Sequence, residues 1–225
     1  MYILTDVIMA RSTIAVDVIG VSKRYGYLEV LRSVSLRIEG GEFVALFGHN
    51  GAGKTTLLKL IATHIRPSAG TVKIFGEDAF RDSGIRRKIG LVTHSSFLYD
   101  ELTVRENLLF YARQFGVEER KFLDTVEFLG MNRWYNVRVK ELSHGLRKRA
   151  DIIRALIHDP DLILLDEPFT GLDSETCEVL VNYFKGHRGK KKTLLIASHS
   201  QEWVKKVCDR AITLRHGKIA GEFSF

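Results

Sequence analysis

Short apolar runs and helix-spaced apolar positions alternate along this chain, and their order predicts the elements. Residues 13–18 and 33–38 read as strands, Glu39-Gly40-Gly41-Glu42 as a turn, and Phe43–Phe47 as a wholly apolar strand closed by Gly48. Residues 54–64 carry Leu57, Leu58, Leu60 and Ile61 at helical spacing, and Pro67 and Gly70 end that unit. Residues 71–75 and Ile89–Val92 predict further strands. From about residue 102 to 157 the pattern turns helical. Thr103 with Glu106 predicts a capping box ahead of an apolar face of Leu108, Leu109, Ala112 and Phe115. A second helix is expected over 118–129 and a third from Ser143. After Pro160 come a strand Leu162–Asp166, a helix Ser174–Lys185, a strand Thr193–Ser198, a helix over 201–207, and strands near 211–214 and 218–222. Strands alternating with helices predict a largely parallel sheet covered on both faces, with the helical block as a second lobe of the same domain.

Composition narrows this little. The chain has 225 residues, 45% hydrophobic and 27% charged, enough for one α/β domain with a core. No apolar run approaches the roughly 18–20 residues of a membrane-spanning helix. Residues 1–13 lack the basic-then-apolar order of a signal peptide, and either Met1 or Met9 serves as a start. Cys177 and Cys208 stand apart in no metal-like spacing, which predicts packing residues in a reducing cytosol. The net charge of +7 suits an anionic ligand. The basic runs 86–88, 147–149 and 190–192 are short and dispersed, so they read as solvated faces and anion-site charge, with no nucleic acid expected.

Three stretches carry chemistry. Gly48-His49-Asn50-Gly51-Ala52-Gly53-Lys54-Thr55 fits G-x-x-x-x-G-K-[ST] between a buried strand and a helix. Such a loop aims backbone N–H groups at phosphate oxygens, Lys54 adds a cation, and the Thr55 hydroxyl is a Mg²⁺ ligand. The strand Leu162–Asp166 delivers Asp166 and Glu167 to the carboxyl edge of the sheet. Asp166 is expected to hold Mg²⁺, and Glu167 to polarise the attacking water. Ser143 is placed as the N-cap of a helix beginning His144-Gly145, a setting that is either an anion site or an ordinary helix start.

Taken together, these residues resemble the nucleotide-binding domains of ABC transporters over essentially the whole chain. Residues 48–55 resemble the Walker A motif, 142–145 the signature, 162–167 Walker B and 171–173 the D-loop, with His199 in the place of the switch histidine and Tyr25 in that of the adenine-stacking aromatic. The resemblance implies a P-loop NTPase of the ABC ATPase type spanning 1–225, with an antiparallel β subdomain. It also implies a helical subdomain, about 95–157, inserted in a RecA-like core. It implies ATP and Mg²⁺ as cofactors. Nucleotide contacts are expected from Tyr25, Gly48, His49, Asn50, Gly51, Ala52, Gly53, Lys54, Thr55 and Thr56, and from Ser143 and Gly145 of a second copy. Lys54, Glu167 and His199 are implied as catalytic, and Thr55, Asp166 and His94 as metal-side residues. The partners implied are a homodimeric or pseudo-symmetric second ATPase subunit and an integral membrane permease, with the chain on the cytoplasmic face of the membrane.

The sequence departs from the family pattern at Thr93-His94, where glutamine is usual, and at His144 and Leu146 of the signature. Histidine cannot offer glutamine's carbonyl oxygen to a metal, so metal sensing there changes character. Roughly 90 residues separate Lys54 from Ser143 with no long heptad run, which sets aside coiled-coil repair ATPases and leaves an iron–sulfur assembly ATPase as the alternative. Ser95-Ser96-Phe97-Leu98-Tyr99 is either the groove for a permease helix or core packing for Phe97 and Leu98. Among transporters, the motifs most resemble the haem-exporter, cytochrome c-biogenesis group.

Overall fold

The computed structural model describes residues 13–189 and 191–225, so the start-site question at Met1 and Met9 lies outside the described residues. Two long strands, β1 (Ile14–Tyr25) and β2 (Leu28–Glu39), form an antiparallel hairpin, extended by β4 (Ala69–Ile74) and β5 (Glu77–Asp78) into a four-stranded sheet ordered β2-β1-β4-β5. The strands expected over 13–18 and 33–38 are therefore the outer parts of much longer ones. Two bulges hide that length. Val18 and Val21 pair with Leu36 and Val34, and Val21 and Lys23 pair with Val34 and Leu31, so the alternation slips at Gly20 and at Ser33, both at positive φ.

The second sheet runs β10-β9-β3-β8-β7-β6, from β3 (Phe43–Phe47), β6 (Ile89–Val92), β7 (Leu162–Asp166), β8 (Thr193–Ser198), β9 (Arg210–Arg215) and β10 (Lys218–Ser224). Five of these are parallel, and β10 closes one edge antiparallel. Every residue of β3, β6, β7 and β8 is buried, as expected for strands covered on both faces. Their alternation feeds two cores. Phe43, Ala45, Ile163, Leu165, Leu194 and Ile196 face the helical lobe, while Val44, Leu46, Leu162, Leu164, Leu195 and Ala197 face α1 (Lys54–Ile61) and the antiparallel sheet.

The helical lobe holds α2 (Val104–Phe115), α3 (Leu123–Phe128) and α4 (His144–Leu156), and α5 (Ser174–Lys185) follows β7. The capping box at Thr103 and Glu106 is present on both its bonds. Two helices are shorter than the spacing predicts. The 118–129 helix is broken at Phe122 (ψ 0°), whose ring is buried in the core, leaving a 3₁₀ turn (Glu119–Lys121) before α3. The 201–207 helix shrinks to one turn (Val204–Lys206), because Asp209 N–H already bonds Phe43 O and draws the chain into β9. Both cysteines are buried, unpaired and packed in the core. The 147–149 run is not a solvated face: Lys148 is buried and Arg149 half-buried, because α4 turns that side toward the sheet.

Candidate active site

Three neighbouring strand ends place the chemistry. Phe47 is level with Ser198 and Asp166 with Ala197, so the glycine loop, Glu167 and His199 leave one carboxyl edge side by side. The loop after β3 can fold only with glycine at two positions. A Cβ on Gly48 would lie 2.5 Å from Leu214 O, and Gly53 sits at φ 106° with a Cβ position 2.7 Å from Leu31 Cδ2.

A pocket of about 350 Å³ opens there, walled by Leu28 and Val30, by loop residues His49 to Thr56, and by His94, Asp166 and Glu167. Lys54 is buried on α1, and its Nζ donates to Gly48 O (2.7 Å) and His49 O (3.5 Å) and lies 3.6 Å from Glu167 Oε1. Thr55 Oγ1 donates to Asp166 Oδ2 at 2.6 Å. Burial raises the Asp166 carboxyl above its ordinary range; the Thr55 bond opposes that shift and the Glu167 charge adds to it. The converging hydroxyl and carboxylate oxygens suit a small hard cation such as Mg²⁺.

Three side chains hold the Glu167 carboxylate. His199 Nδ1 donates to its Oε1 at 2.9 Å, and the Thr170 and Ser198 hydroxyls donate to Oε2 at 3.2 and 3.2 Å. Its backbone sits at φ 49°, a left-handed conformation unusual for glutamate, fixed by Glu167 N–H on Ala197 O.

The remaining expected residues divide. His94 is exposed and lines the pocket, but the described residues contain no group of three or more His, Cys, Asp or Glu able to hold a metal. Tyr25 stands at the tip of the β1–β2 hairpin, half exposed, with Lys23 Nζ 5.0 Å over its ring. It is not part of the pocket wall, where Leu28 and Val30 stand instead. Those two side chains share one face of β2 at a spacing of two, a period-2 signal that was readable once the strand's true length was known. Ser143 caps α4 by accepting from Leu146 N–H at 3.3 Å, and Ser143 and Gly145 lie outside the pocket. His144 packs over the segment after β7, where a Cβ on Gly171 would lie 3.2 Å from its ring. Asp173 is committed to its own helix, accepting from Thr176 N–H at 2.7 Å. Leu98 is buried in the core, Phe97 half-buried beside Arg154 and His64, and Tyr99 exposed edge-on to exposed Phe110 at 5.3 Å. Core packing thus accounts for Leu98 and only partly for Phe97, and Tyr99 lies outside the core.

The profile of the ABC transporter family matches residues 31–170. The chain is 38% identical over 198 residues to the ABC transporter ATP-binding protein NatA of Bacillus subtilis (strain 168), covering 85% of this chain and 80% of that protein. It is 36% identical over 218 residues to the Nod factor export ATP-binding protein I of Rhizobium sp. (strain N33), covering 95% and 72%. Among solved structures, it is similar to a dimeric post-hydrolysis state of the ATP-binding cassette MJ0796 bound to ADP and Pi. That match has a TM-score of 0.84 and 31% identity and covers 93% of this chain and 98% of that one.

Proposed function

The chain belongs to the ABC transporter family, and from that premise we propose that it powers export through a separate membrane permease as one of two ATPase subunits clasped head to tail. It is an ATP-binding subunit of an ABC transporter and an ATPase. One observation carries the dimeric reading: Lys54, Thr55, Asp166 and Glu167 line one pocket, with His199 bonded to Glu167 beside it, while Ser143 and Gly145 of the same chain lie elsewhere on the surface. A capped helix start with a small residue is an anion site only when something anionic reaches it, and a second copy's nucleotide does so.

The chain's own groups divide the work. Lys54 exchanges loop carbonyls for the outer phosphates, and Leu28 and Val30 offer apolar surface toward the base. Thr55 and Asp166 would hold Mg²⁺, which when bound offsets phosphate charge. Glu167 takes the proton of the attacking water, oriented by Thr170, Ser198 and His199.

The exposed Tyr99–Phe110 pair beside half-buried Phe97 supports docking of a permease helix, and the proposal puts the chain peripherally on the cytoplasmic face. No described helix is long and apolar enough to cross a membrane. The relatives reported above are named for Nod factor export and as NatA, which favours export and gives the haem-exporter, cytochrome c-biogenesis expectation no support. The iron–sulfur alternative likewise gains none. The test is copurification of the tagged chain from detergent-solubilised membranes. An integral protein retained by the wild type and lost from Tyr99→Ala/Phe110→Ala, with ATP turnover intact, supports the reading. Recovery in membrane-free complexes only would favour the alternative.

A further inference from the structure

A second cavity of about 250 Å³ lies between the segment after β6 and the first turns of α4. Its charged and titratable lining is His94, His144, Arg147, Lys148 and Asp151. His94 also lines the nucleotide pocket, so one side chain borders both cavities.

The charges in this chamber are unevenly answered. Asp151, its one carboxylate, is held by Arg154 at 2.9 Å, and Arg147 by Asp100 at 2.8 Å. Lys148 is only 8% exposed and forms no ion pair among the described residues. Burial pushes its ammonium below the ordinary lysine range, with the Asp151, Asp166 and Glu167 charges opposing that shift. Lys148 is therefore a desolvated cation in electrostatic reach of the hydrolytic carboxylates, yet facing a separate chamber. A buried charge outside any ion pair is costly, and an oxyanion that enters relieves it.

We propose that this chamber is the transit site for the inorganic phosphate cut from ATP, which leaves the pocket past His94 and is held by Lys148. Water attacks the γ-phosphorus and the bond to the bridging oxygen of ADP breaks. Hydrogen phosphate is freed and a proton passes to Glu167, so charge and atoms balance. The inference rests on the dimeric reading above. With the Ser143 helix of a second copy over the glycine loop, the front of the pocket is covered, and a side exit lets phosphate go before the pair reopens. The chamber is larger than a phosphate ion, and His144 and Arg147 border it as further donors.

The test is titration of inorganic phosphate into the full chain, followed by calorimetry. The Lys54→Ala background removes the glycine-loop cation. Phosphate should bind Lys54→Ala, weaken about 10- to 100-fold in Lys54→Ala/Lys148→Met, and recover in Lys54→Ala/Lys148→Arg, as expected for a charge-assisted contact. Absence of binding to Lys54→Ala, or equal binding with methionine at 148, overturns the proposal. In the wild-type background, a phosphate-release reporter should lag chemical cleavage in Lys148→Met and not in Lys148→Arg. Equal lags contradict the transit role, whereas failure of the wild type to cleave ATP at all would sink the hydrolytic reading instead.

Discussion

Replacing Glu167 by glutamine removes one charge and leaves almost every contact in place. The carboxylate is held by His199 at 2.9 Å and by the Thr170 and Ser198 hydroxyls at 3.2 and 3.2 Å. An amide placed with its oxygen toward His199 keeps that bond, and hydroxyls can rotate to accept from its NH₂. The backbone at φ 49° is no worse for glutamine than for glutamate. Melting temperature should therefore stay within about 2–4 °C of wild type, the shift that roughly 1 kcal/mol gives in a chain of this size. Turnover should fall by about 10²–10⁴, the usual contribution of a positioned general base, or about 2.7–5.4 kcal/mol of barrier. ATP affinity should hold or rise, since Lys54 loses its neighbour at 3.6 Å and is freer to meet phosphate. Steady-state phosphate production beside a fluorescent-nucleotide titration reads both. Turnover within tenfold of wild type would remove Glu167 from the proton-accepting role.

Three further outcomes follow from single contacts. Asp166 has its folded pKa raised by burial, so it favours the folded state below the ordinary carboxylate value and loses that contribution as pH rises through the raised one. Nucleotide-free Asp166→Asn should then melt above wild type at neutral pH, with the gap closing toward acid, while Mg²⁺-dependent turnover is lost; a pH series of melts that stays parallel would contradict this. Thr103→Ala breaks the bond from Glu106 N–H at 3.1 Å and should cost about 1 kcal/mol in chemical denaturation, with no change in nucleotide affinity. Tyr25→Ala should weaken ATP binding by about 1–3 kcal/mol if the half-exposed ring stacks on the base, and unchanged affinity would assign the base to Leu28 and Val30.

What the sequence makes legible here is local. The glycine loop, the apolar strand running into Asp166 and Glu167, the N-cap at Ser143 and the capping box at Thr103 are short-range patterns, and each sits where its pattern places it. What stays hidden depends on partners distant in the chain. Bulges at Gly20 and Ser33 interrupt the alternation, so two long strands read as two short ones. Phe122 breaks a helical pattern because the core claims its ring. Lys148 reads as one of three surface cations until α4 is docked, when it proves buried near carboxylates from another element. The bond from Ser198 to Glu167 is equally invisible, since it depends on β7 and β8 lying side by side.

Sedimentation equilibrium of Glu167→Gln in ATP and Mg²⁺ bears most directly on how this machine closes. A 25.6 kDa chain should double its mass when nucleotide is added and return to the single mass when Ser143→Arg is introduced. A chain that stays at 25.6 kDa under saturating ATP, or that pairs equally well with arginine at 143, would show that no second copy completes the site.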